Sequence, residues 1–212
     1  MFIGHFVIAE LIIKQFPSIP PLPILLGVGY PDILWPILVY TKKEKVSINP
    51  STPLQKAVKF ISYPYSHSLV LSSILTIIPA FVIAFIYKSF FVGFLFYIAA
   101  LSHWFLDIVM HISDMPVIGF FHDKKMGFGL WRYSGFAFVF EFIFFFIGTI
   151  LLVPSVKMLP ILFVGSIFHL INANSFFAFT KTNPTKTSNG YATLALFGFI
   201  AISLIFNFIF IK

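Results

Sequence analysis

Long apolar runs separated by short polar loops dominate the chain. Residues 2–16 are apolar except for His5, Glu10, Lys14 and Gln15. The Pro-rich stretch 17–23 ends that segment, because proline cannot continue a helix. A second apolar stretch, 24–40, contains Pro31 and Pro36, and a basic polar loop follows at 42–59. Apolar runs then occupy 66–87, 89–111, 133–153, 158–179 and, after a polar loop at 181–190, 191–211. Most reach the roughly 20 residues a helix needs to cross a bilayer core. The pattern predicts an all-α, polytopic transmembrane bundle with about six full spans and a short N-terminal membrane segment. Only helices and closed barrels satisfy their backbone in lipid, so no sheet is expected beyond a short turn. With no internal repeat or soluble domain, 1–212 reads as a single integral membrane domain.

Composition sharpens this reading. Hydrophobic residues make up 59% of the 212 positions and charged residues 10%, and mean hydropathy is +0.98. A soluble domain of this length could not hide so much apolar surface. The 31 phenylalanines read as apolar filler. The absence of cysteine excludes disulfides and thiolate metal sites, so any metal must be held by His and carboxylates. The N-terminus lacks the basic region and cleavage site of a signal peptide and is expected to be retained.

Charge predicts orientation. With seven crossings, the 42–59, 112–132 and 181–190 loops share a side, which carries ten basic residues; Lys14, Lys88, Lys157 and Lys212 lie opposite. The first side is expected to be cytoplasmic. The net charge of +7 calls for no nucleic acid; the expected partner is membrane lipid, and oligomeric state is open.

Ionisable groups in spans are costly and mark function. The sharpest cluster is His103, Asp107 and His111, a His-x3-Asp-x3-His pattern. On a helix, steps of four residues advance by only about 40°, so the three share one stripe. Such a stripe can grip metal, or can pack helices through hydrogen bonds. His5, Asp32, His67 and Glu141 fall at a similar depth from the cytoplasmic side. Acids and imidazoles from five segments thus share one layer, as a common site requires. Gly27, Gly29, Pro31 and Pro36 make the backbone around Asp32 irregular, which membrane proteins tolerate where it lines a cavity. Arg132, the only Arg, is a candidate phosphate clamp or an ordinary topology charge. His122, Asp123 and Asp114 read as loop residues, His169 as a packing group, and Glu10 with Lys14 as a structural i, i+4 pair.

Gly4-His5-Phe6, Pro64-Tyr65-Ser66-His67-Ser68-Leu69, Ser102-His103-Trp104 with Asp107 and His111, and Gly127–Trp131 followed by Glu141 resemble, in that order, a group of bacterial multispanning proteins. More distantly they resemble the inner-membrane, LexA-binding family described as metal-dependent hydrolases. The resemblance covers about residues 1–145. It departs at Leu34, where that family carries a second Asp, and at Ser62-Tyr63, in place of His-Arg. The ligand order is also similar to that of zinc-dependent phospholipase C and P1-type nucleases. The resemblance implies Asp32, His67 and His103 on one ion, His5 on another, Asp107 bridging, and His111 with Glu141 near a third. A divalent metal, with zinc expected, in one to three ions would be the cofactor. The function expected is a membrane-embedded hydrolase of a phosphoester or lipid headgroup, with Asp107 and Glu141 as catalytic carboxylates and Arg132 binding substrate. The alternatives are a divalent-cation or proton transporter, or a non-catalytic protein whose polar cluster is structural.

Overall fold

The computed structural model describes residues 1–49, 58–120, 123–177, 179–180 and 185–212. A 3-10 turn, Ile3–His5, leads into α1 (Phe6–Gln15). Helices α2 (Pro21–Val28) and α3 (Tyr30–Tyr40) follow, bent by 58° at Gly29. Proline explains the break: Pro31 has no N–H to give the carbonyl of Gly27, so α2 cannot run on, and α3 begins its own ladder with Ile33 N–H to Gly29 O at 2.9 Å. A short helix α4 (Pro64–His67) precedes the long helices α5 (Leu69–Ile86), α6 (Phe90–Met110) and α7 (Ser134–Leu152). The chain closes with α8 (Ser155–Ile171), α9 (Ala173–Phe177) and α10 (Ser188–Ile211). The side chains of Ser68, Ser89 and Thr187 cap α5, α6 and α10 by accepting from Ser72, Val92 and Gly190 N–H.

Among the described residues five helical segments are long and apolar enough to cross a membrane, and six if α2–α3 is one bent span. The chain is an all-α integral membrane protein. Its outward faces suit lipid: Phe85, Phe90, Val156 and Leu159 are exposed. Helix α6 lies against α5 and α2; α10 against α3, α2 and α8; α1 against α2 and α7. Among these helices Ile3, Phe6, Leu25, Leu95, Phe145, Ile202 and Phe206 form an apolar core.

Two features depart from expectation. Part of the 42–59 loop folds as an antiparallel hairpin, β1 (Lys45–Ile48) with β2 (Val58–Ser62), and a smaller one pairs β3 (Met115–Pro116) with β4 (Lys125–Met126). The hairpins lie between the long apolar helices, and outside hydrocarbon an open strand edge can bond to water, so the lipid argument does not forbid them. The Glu10–Lys14 pair is not made. Glu10 instead accepts from Thr149 Oγ1 at 2.9 Å, and Lys14 Nζ donates to the Leu151 carbonyl at 2.7 Å, on the last turn of α7. Residues 50–57, 181–184 and His122 lie outside the described residues, and with them the expectations placed there.

Candidate metal centre

Four chain segments bring their polar groups to one point. Asp32 lies in the first turn of α3, where the positive end of the helix dipole favours a carboxylate. His67 is the last residue of α4, immediately before the cap of α5. His103 and Asp107 lie four residues apart on α6, and His111 caps the C-terminal end of that helix. His5 closes the 3-10 turn before α1. His5, His103, Asp107, His111 and His67 are all buried. Donor atoms of His5, His103 and Asp107 lie within 4.8 Å of one another, as do those of Asp32, His67 and His103.

The separations inside the cluster are informative. His5 Nε2 is 3.1 Å from Asp107 Oδ1, and His103 Nε2 is 3.3 Å from Asp107 Oδ2 and 3.5 Å from Asp32 Oδ2. His67 Nε2 is 3.3 Å from Asp32 Oδ1, and His111 Nε2 is 3.5 Å from Asp107 Oδ2. An imidazolium–carboxylate hydrogen bond closes to about 2.7–2.9 Å. At the outer edge of the same cluster His111 Nδ1 makes such a bond, 2.9 Å from Asp114 Oδ1. The inner distances instead match the edge of a tetrahedral site, about 3.3 Å for ligands about 2.0–2.1 Å from one ion.

Proton positions point the same way. His103 Nδ1 lies 2.8 Å from the Val28 carbonyl, which can only accept, so Nδ1 carries the proton. The Nε2 of a neutral His103 ring is then a lone pair facing two carboxylates; this buried atom makes no hydrogen bond. His111 repeats the pattern, with Nδ1 bonded to Asp114 and Nε2 turned inward. Neither ring nitrogen of His5 is hydrogen-bonded, and its ring stacks on that of His103 at 3.7 Å and 8°. Two imidazolium ions so stacked would repel. Lone pairs aimed at carboxylates are relieved either by protonation of the ring or by a cation held between them. The donor set, imidazole nitrogen and carboxylate oxygen, fits zinc and suits other divalent first-row ions as well.

Other expected residues stand elsewhere. Glu141 is buried on α7, and its Oε1 accepts the backbone N–H of Phe2 and, at 3.2 Å, of Gly4. It clamps the segment that carries His5 and is not one of the converging donors, so the geometry favours a positioning role over that of base. The Met1 α-ammonium touches Asp107 Oδ1. Arg132 is exposed on the turn Leu130–Arg132, beside Trp131, whose ring packs 4.2 Å from His111. Asp114 joins the cluster as the outer partner of His111, closer in than a loop residue would be. Asp123 accepts three backbone N–H groups, from Val117, Ile118 and Gly119, and holds its own loop. His169 Nε2 lies 3.1 Å from the Phe138 carbonyl, with the ring stacked on Phe138 at 3.9 Å.

Sequence reasoning missed Glu44. Standing among Lys42, Lys43 and Lys45, it reads as one more loop charge, yet it is buried and reaches the cluster through Ser66. Burial pushes its carboxyl up, and its bonds with Ser66 and Tyr65 offset only part of that rise. No protein-family model, curated protein or solved structure matches the chain.

Proposed function

We propose that this protein is a membrane-embedded, metal-dependent hydrolase whose cluster binds zinc or a similar divalent ion. The observation that carries the reading is the set of inward-facing imidazole nitrogens held 3.1–3.5 Å from the carboxylates of Asp32 and Asp107. Asp32, His67 and His103 would hold one ion, and His5 with Asp107 would hold a second. A divalent ion in such a site supplies Lewis acidity, making water acidic enough to attack at neutral pH and stabilising charge on phosphoryl oxygens. The buried Val28 carbonyl and the partly exposed Asp114 carboxylate would hold the imidazoles of His103 and His111 in the ligating tautomer.

Room for water lies beside these ligands. A cavity about the size of one water molecule is lined by His67, His103, Ser66, Ser72 and Thr76. Such a niche, part polar and part apolar, next to the donor set favours hydrolysis over a closed structural site. Transport fits less well. On α7, Phe145 is fully buried in the apolar core between Glu141 and the Glu10–Thr149 contact, so no polar file runs along that helix from the cluster. The substrate class is a phosphoester, with a lipid headgroup at the cytoplasmic leaflet as the natural source.

Elemental analysis of protein purified in detergent should find about one to two equivalents of a divalent metal, and the loaded protein should cleave an activated phosphodiester such as bis(p-nitrophenyl) phosphate. Metal without turnover would leave a binding protein, and neither would return the cluster to helix packing. The orientation has its own check. Because the chain has no cysteine, Lys43→Cys and Asn189→Cys can be labelled singly. Both should react with an impermeant maleimide only from the cytoplasmic side of inverted vesicles, and labelling from opposite sides would refute the proposed sidedness.

A further inference from the structure

Four groups form a chain that begins outside the metal cluster and ends in it. Glu44 Oε1 accepts backbone N–H groups from Tyr65 at 2.8 Å and Ser66 at 2.9 Å. The Ser66 hydroxyl donates to Glu44 Oε2 at 2.6 Å, and its oxygen lies 2.7 Å from His67 Nδ1. His67 Nε2 in turn faces Asp32 at 3.3 Å. Glu44 and Ser66 are almost completely buried. The Glu44 backbone is fixed too, since the N–H groups of Lys43 and Glu44 both return to the Leu38 carbonyl on α3. Helix α3 therefore presents Asp32 to one ring nitrogen of His67 and, through Glu44 and Ser66, a hydrogen-bond partner to the other.

A proton count gives this chain a direction. A carboxylate only accepts, and a serine hydroxyl has a single proton. That proton goes to Glu44, so the Ser66 oxygen can only accept from His67, whose proton must then sit on Nδ1. The Nε2 lone pair is thereby turned toward Asp32, in the tautomer a metal ligand needs. We propose that Glu44 is a positioning residue that, through Ser66, sets the tautomer of His67 and so its competence to ligate. The proposal rests on the metal reading above.

Glu44→Gln separates this role from mere packing. The amide is nearly isosteric; its oxygen keeps the two backbone N–H groups, and its NH2 faces Ser66. Ser66 then accepts from that NH2, and its own buried proton, having lost Glu44 as acceptor, has His67 Nδ1 to bond to; donating there moves the ring proton to Nε2 and into the ligand position. Ser66→Ala removes the relay without reversing it. Three variants, Glu44→Gln, Ser66→Ala and the double variant, would be compared with wild type after circular dichroism and gel filtration show retained fold. Solid-state 15N spectra of histidine-labelled, metal-free protein report the His67 tautomer, its signal assigned by loss in His67→Gln. Zinc alone is titrated in parallel.

Wild type should show the Nδ1–H form and Glu44→Gln the Nε2–H form. Zinc affinity should fall about 10–100-fold in Glu44→Gln, the range for outer partners of metal ligands, and less in Ser66→Ala. The double variant should recover to the level of Ser66→Ala, because nothing then donates to Nδ1. An unchanged tautomer in Glu44→Gln overturns the proposal, as does a Ser66→Ala loss equal to or greater than that of Glu44→Gln, or a double variant as weak as Glu44→Gln. Wild type that binds no zinc sinks the metal reading instead, and the metal-free spectra then decide the relay alone.

Discussion

Replacing His103 by alanine is expected to abolish high-affinity zinc binding, lowering affinity by at least about 1,000-fold, since even outer partners of metal ligands are worth about 10–100-fold. The magnitude follows from position. His103 Nε2 is the one nitrogen placed against both carboxylates, 3.3 Å from Asp107 and 3.5 Å from Asp32. Removing it takes a ligand from the first ion and leaves the two acids facing each other across a gap. Removing the ring also takes away the surface on which His5 stacks. Isothermal titration of zinc into the purified variant measures the effect, with circular dichroism to confirm that the helices remain. His169→Ala is the control, a buried histidine on α8 whose ring packs against Phe138; it should leave zinc affinity within about threefold of wild type, the spread ordinary context produces. If metal survives His103→Ala combined with Asp107→Ala, the site has been assigned to the wrong residues.

The second large effect is expected from a residue that touches no ligand. A Cβ placed on Gly27 would lie 2.9 Å from the Phe96 carbonyl oxygen and 2.9 Å from Ala99 Cβ, both on α6. The missing side chain is what lets α2 approach α6 closely, as small residues do at helix contacts in membranes. A backbone oxygen cannot swing aside, so Gly27→Leu must lift α2 away from α6. The next residue, Val28, supplies the carbonyl that holds His103 Nδ1 at 2.8 Å, and α3 with Asp32 follows directly. The variant is expected to lose roughly 1–3 kcal/mol of stability to overpacking and about 10–100-fold in zinc affinity through the lost outer bond. Gly93→Leu offers a comparison. There a Cβ would lie 2.5 Å from the Ala80 carbonyl, in the contact between α5 and α6, ten residues before His103. It should cost stability by a similar amount and leave zinc affinity nearly unchanged. Equal losses of affinity in the two variants would show that the cluster follows global stability and not the α2–α6 contact.

What was legible in the sequence divides along physical lines. Membrane character and all-helical spans could be read from the chain alone, because hydrocarbon forces every backbone group to pair within its own segment and that demand shows as uninterrupted apolar length. The break near Asp32 was visible as well, since Pro31 and its neighbouring glycines act locally. His103, Asp107 and His111 could be placed on one stripe for the same reason: helical periodicity is a property of adjacent residues. That His5, Asp32 and His67 approach that stripe followed only from their similar depth, which fixes a layer but not a position around the bundle.

The remainder depended on how helices pack. The hairpin β1–β2 escaped notice because the rule excluding strands holds in lipid, and this loop lies beyond the spans. Glu10 and Lys14 have the spacing of an ion pair, yet each found a partner on α7, Thr149 and the Leu151 carbonyl, that only tertiary contact supplies. Glu141 has the depth of a site residue, but which atoms meet its carboxylate depends on where the first residues of the chain thread past α7. Glu44 carries no pattern in its neighbourhood. Its importance arises because the end of α3 and the start of α4 meet, 22 residues apart for Glu44 and Ser66, and a buried carboxylate must then take whatever donors it finds. Sequence by itself determined the solvent, the helices and a set of polar residues at one depth, because these follow from local hydropathy and periodicity. Tertiary structure alone decided which nitrogen faces which oxygen, because ligand geometry and tautomer are settled by contacts between segments far apart in the chain.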